Sequence, residues 1–178
     1  MTRNRKTIER LIKIAKNCEE SVFQKNKEYV KLKAEKKIST SEIELMVCGL
    51  NFDENDFLEE QIYWNKRGFE ENVGDKEQRY LFLTNLVFSY NELKEYELVL
   101  EYGKKPMKWL DSVQKNGWIS EDYKMIDCML AACKGLKRFE DLIGYEKDRL
   151  KMVVKVFKEP VKDGEPPVKQ VYLLWLKS

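Results

Sequence analysis

The side chains that could do chemistry in this 178-residue chain are carboxylates, amides and four cysteines, because histidine is absent. Without imidazole there is no Cys2His2 zinc site, no haem–histidine ligation and no histidine acid–base catalysis. Cys128 and Cys133 stand five apart, which on a helix turns them about 140° from each other, so they do not converge on a metal. With Cys18 and Cys48 they sit among helical apolar positions, which points to reduced, buried thiols rather than two disulfides. The acidic pairs Glu59/Glu60, Glu70/Glu71, Glu121/Asp122 and Glu140/Asp141 are neighbours in sequence. Neighbours on a helix point about 100° apart and make no acid–base dyad. No phosphate-cradling glycine loop, nucleophile elbow or CxxC occurs. The expectation is a non-enzymatic protein with no metal and no cofactor; carboxylates gathered by folding are the enzymatic alternative.

The elements that carry these residues are read from composition first. Charged residues make up 36% and apolar ones 43%, including eight Phe, nine Tyr and four Trp, enough large apolar groups for a packed core. Eight glycines and four prolines leave few turns, which suits long helices better than a many-stranded sheet. One domain, or one domain with an arm, fits this length. The start MTRNRKTIERL lacks the apolar run of roughly 7–15 residues of a secretory signal, though its basic amphipathic character leaves an organelle-targeting alternative. The longest apolar run, VYLLWL, falls far short of the roughly 20 residues that span a bilayer. A cytoplasmic protein with no membrane attachment is expected.

Residues 1–37 hold 12 basic against 5 acidic side chains, a net +7; residues 38–103 carry −10 and residues 104–178 carry +5. The basic arm places Ile8, Leu11, Ala15, Cys18, Val22, Tyr29 and Leu32 at alternating three-four spacing. That predicts one amphipathic helix over about 2–36, or two with a break near Lys25–Lys27, packed intramolecularly or as a dimer seam. Ser41 and Glu44 have capping-box spacing before a short helix to about Gly49. Further helices run through Phe57–Phe69, Leu81–Glu92, Tyr96–Leu110, Ser120–Gly135 and Phe139–Phe157, with Pro106 expected to bend or shorten the third of these. A loop over 158–167 precedes Val168, Val171, Tyr172 and Trp175, which are spaced for a helix; a β-hairpin between 153–157 and 168–176 is the alternative. The domain reading is therefore a basic helix, 1–37, followed by an all-α domain of antiparallel helical hairpins, 38–178, with a C-terminal capping segment.

Leu83, Leu86 and Tyr90, with Tyr96 opening the next helix, resemble a tetratricopeptide repeat, and so do Met129, Ala132 and Phe139 within residues 126–150. The resemblance spans about residues 77–157. It departs from the family at Val87, which stands where a small residue is usual, and in the 43-residue distance from Tyr96 to Phe139 against a family period of 34. It implies a stack of two-helix hairpins whose first helices line a concave, peptide-binding side. On that register the exposed positions are Thr84, Asn85, Phe88, Asn91 and Glu92, then Lys124, Asp127, Ala131 and Lys134. The amides would bind a ligand backbone and the lysines a carboxylate. The functional expectation is a protein- or peptide-binding adaptor or regulator, self-association included. Its first alternative is a nucleic-acid-associated factor using the basic arm; the second is a structural homo-oligomer. The arm is also expected to pair with the acidic middle.

Overall fold

The computed structural model describes residues 3–51, 57–71, 76–113 and 120–158, and among them it is all-helical with no strand. The basic arm makes three helices rather than one: α1 (Arg3–Ala15), α2 (Glu20–Phe23) and α3 (Lys27–Lys33). The second break coincides with the one read at 25–27, and the first, after Ala15, was not read. Asn26 enforces the second. Its Oδ1 accepts from the backbone N–H groups of Glu28 and Tyr29 at 3.0 and 3.2 Å, capping α3 and starting a new helix. The buried seam changes with the breaks: Ile8, Leu11, Ala15, Tyr29 and Leu32 face inward as expected, but Val22 is 57% exposed and Phe23 is buried in its place.

Helix α4 (Thr40–Gly49) is capped two residues before the expected position, by Ser39 instead of Ser41. Ser39 and Glu42 form the capping box, with Glu42 Oε2 accepting from the Ser39 N–H at 3.0 Å. Both serine–glutamate pairs have the spacing; starting at Ser39 turns Ile43, Met46 and Val47 inward. Five longer helices follow: α5 (Leu58–Glu71), α6 (Lys76–Glu92), α7 (Tyr96–Val113), α8 (Ser120–Gly135) and α9 (Phe139–Lys158). Helix α7 continues through Pro106, whose buried ring packs while one backbone bond is given up. Residues 153–157 lie within α9, so the β-hairpin alternative loses its first strand; residues 168–176 lie outside the described residues.

Apolar side chains gather in two cores. Ile8, Leu11, Phe23, Tyr29, Ile43, Met46, Leu50 and Trp64 form one across α1 to α5. Leu83, Leu86, Tyr90, Val99, Leu100, Ile126, Met129 and Cys133 form the other across α6 to α8, with Leu142 and Tyr145 of α9 against it. Helices before and after residue 37 thus share one core. Phe82 of α6 belongs to the first core and Phe69 of α5 touches both, so the α5–α6 contact joins the halves. In the second half α6 packs on α7, α8 lies against both, and α9 folds back on α8.

The hairpins α6–α7 and α8–α9 turn in the same way. Lys94 takes φ 58°, its N–H donates to Asn91 O at 3.0 Å, and the Glu95 N–H donates to Tyr90 O at 2.9 Å. Lys137 also takes φ 58°, with Lys137 N–H to Lys134 O at 3.2 Å and Arg138 N–H to Cys133 O at 2.8 Å. These are Schellman closures with lysine in the left-handed position that glycine favours. A Cβ there is strained by roughly 1–2 kcal/mol, part of which the entropy of an unfolded glycine offsets. Lys137→Gly should therefore stabilise the protein by about 0.5–1 kcal/mol in urea unfolding, and a loss of stability would show that the lysine side chain makes contacts worth more than the strain.

Candidate functional site

The three hairpin-forming helices nearest the joint between the cores leave a groove. Along α6, Asn85, Phe88, Ser89 and Glu92 recur at i, i+3, i+4 and i+7 and so share one face. Val47, Cys48 and Asn51 from α4 and its end face them, and Leu58 and Gln61 of α5 complete the lining. Together they enclose a cavity of about 420 Å³. Phe88, Val47 and Leu58 supply apolar wall, Asn51, Gln61 and Asn85 supply amides, and exposed Glu92 supplies a carboxylate. Several of the polar groups are already oriented. Gln61 Nε2 donates to Leu50 O at 3.1 Å, Asn85 Nδ2 donates to Asn65 Oδ1 at 3.3 Å, and Ser89 Oγ donates to Asn85 O at 3.0 Å. These bonds leave the side-chain amide oxygens of Gln61 and Asn85 to accept from a ligand N–H.

The sequence-derived face divides on folding. Asn85, Phe88 and Glu92 line the groove. Thr84 does not: it is 2% exposed, with its hydroxyl donating to Tyr80 O at 2.9 Å and lying 4.0 Å from the Met125 sulfur. Asn91 is half-buried outside the lining. Lys124, Ala131 and Lys134 are exposed on α8, away from the groove lining. Asp127 turns toward α9, 3.5 Å from the Arg149 guanidinium; partial burial raises its carboxyl above the usual range and Arg149 opposes that shift. The α4 and α5 contributors were missed. Their signal was α6 itself, buried at Tyr80, Phe82, Leu83, Thr84, Leu86, Val87 and Ser89, hence flanked on several sides by other helices.

The thiols are unpaired as expected, but they are not uniformly buried. All four are free, Cys133 is buried, Cys18 and Cys128 are half-buried, and Cys48 is exposed at the groove. Burial, with Asp127 and Glu92 nearby, pushes the Cys128 thiol up to about 11. Arg5, Lys6, Arg10 and Lys13 of α1 and Lys16 just after it are exposed, and Arg5 and Arg10 already pair with Glu9 and Glu28 of the same arm.

A second polar cluster lies between α3 and α5. Glu60 is 2% exposed; it receives the Tyr29 hydroxyl and the Lys33 ammonium, the latter at 2.9 Å. Trp64 Nε1 donates to the Tyr29 oxygen at 2.8 Å, and the Glu60 N–H donates to Glu20 Oε1 at 2.9 Å. Lys33 Nζ lies 4.0 Å from the Tyr63 ring centre. Burial, then the bond to Glu60, holds the Tyr29 hydroxyl protonated well above its ordinary range. Lys33–Glu60 joins the basic arm to the acidic middle, and the cluster is closed to a ligand because its groups satisfy one another. Among the described residues no group of His, Cys, Asp and Glu side chains could hold a metal ion, and no helix is long and apolar enough to cross a membrane. In comparisons with known proteins the chain matches no family model, no curated protein and no solved structure.

Proposed function

We propose that this chain is a non-enzymatic, cytoplasmic adaptor or regulator that binds a protein segment in the α4–α5–α6 groove, and that α6 to α9 are two tetratricopeptide-like hairpins. The observation that carries the reading is the convergence of Asn85, Phe88 and Glu92 with the amides and apolar side chains of α4 and α5 around one cavity. That lining suits an extended peptide. An apolar side chain packs on Phe88, its backbone N–H groups meet the side-chain amide oxygens of Asn85 and Gln61, and a basic residue reaches Glu92. Aromatic residues at the centre of such contacts commonly carry much of the affinity.

The test compares partners captured from the native host by the wild type and by the Asn85→Ala/Phe88→Ala double variant, with folding verified by circular dichroism. A partner bound in the groove should lose at least about tenfold in affinity for the variant, and undiminished binding would remove the groove from consideration. Unchanged capture together with salt-sensitive retention on DNA or RNA at about 50 mM salt would move the function to the basic arm.

A further inference from the structure

Helix α9 repeats the pattern of α7 at a distance of 43 residues, with Phe139, Ile143 and Leu150 standing where α7 has Tyr96, Leu100 and Met107. On α7 that stripe is where α8 docks. The Tyr96 ring lies against Gly135, Leu100 is buried, and a Cβ on Gly103 would sit 2.7 Å from the Met129 sulfur. On α9 the same stripe is bare: Phe139 is 62% exposed, Ile143 54% and Leu150 62%. All three fall within about 40° of arc, so they form one unpartnered apolar face rather than scattered surface residues.

The occupant is written further along the same chain. Counting 43 residues on from Cys128, Met129, Leu130 and Cys133 of α8 leads to Val171, Tyr172, Leu173 and Leu176. Pro167 suits a first helical position just before them. The reach is sufficient. Nine residues, 159–167, span up to about 30 Å, more than the roughly 12 Å from Lys158 back to Leu150 along α9. We propose that residues 168–177 dock on the Phe139–Ile143–Leu150 face of α9, the counterpart of the α7 face on which α8 docks. The same 43-residue count pairs position 172 with position 146, as it starts from Met129 packed against Gly103. This inference stands apart from the groove between α4 and α6.

The test uses the full chain carrying Cys48→Ser, with Glu146→Cys and Tyr172→Cys added and mild oxidation applied. The expected product is a monomer in which the peptides bearing positions 146 and 172 remain linked after digestion. A product of twice the mass, joined between two chains, would assign the face to a second copy, and no link at all would leave α9 without this occupant; either result overturns the proposal. A thermodynamic cycle guards against a chance link. Ile143→Ser and Trp175→Ser should each lower Tm by about 4–8 °C, and the double variant should lie well above the additive value. Additive losses, or a Trp175→Ser variant with unchanged Tm, would also overturn it.

Discussion

Replacing Lys33 by methionine should lower the unfolding free energy by about 3–5 kcal/mol, more than replacing its partner Glu60 by leucine, which should cost about 1–3 kcal/mol. The asymmetry follows from where each charge is left. Glu60 is 2% exposed whereas Lys33 is 29% exposed. Without Lys33 the carboxylate stays inside, with the Tyr29 hydroxyl and its own helix to stabilise it. Without Glu60 the lysine can extend to water, and the remaining loss is one donor bond from Tyr29, whose oxygen still accepts from Trp64. The double variant Lys33→Met/Glu60→Leu should be more stable than Lys33→Met alone, because the stranded charge is removed with its partner. Urea unfolding of the three variants gives the comparison. Equal losses for both single variants would mean that the pair is not desolvated as unequally as its exposures indicate.

This cluster also explains why the arm was only partly legible. Ile8, Leu11, Ala15, Tyr29 and Leu32 fit one continuous helical stripe, and each is buried. Periodicity reports a face, though, and a face survives when the chain breaks and resumes on the same side. The break at Asn26 depends on a side chain capping its own backbone, a local competition that apolar spacing does not register. The shift from Ser41 to Ser39 has a related cause, since two overlapping cap signals differ only in which residues they turn toward the core. The later helices were easier. Tyr96 opens α7 and Phe139 opens α9 as their spacing required, and Glu92 and Gly135 end the preceding helices. The groove was legible on its α6 side, where Asn85, Phe88 and Glu92 share one helix face, and illegible on the α4 and α5 side, which depends on tertiary placement. Thr84 was misplaced for the same reason: α8 comes close enough to α6 to set Met125 beside it.

Gly68→Val should destabilise the protein by about 2–3 kcal/mol through the joint between the two cores. A Cβ built on Gly68 would stand 2.6 Å from Phe82 Cζ and 2.7 Å from both Cε atoms. Phe82 is 3% exposed, so its ring cannot swing aside without disturbing the first core or parting α5 from α6. The loss should be coupled to that ring. In a Phe82→Leu background the added valine should cost clearly less than in the wild type, because the smaller side chain vacates the space under α5. Gly144→Ala gives the opposite sign. It lies in α9 with nothing within 4 Å of its Cβ position, so the substitution should gain up to about 1 kcal/mol of helix propensity. Two glycines in helix interiors thus predict opposite outcomes in one urea series. If Gly68→Val were as mild as Gly144→Ala, the halves would meet across a looser joint than the buried ring indicates, and the groove built beside that joint would lose its rigid floor.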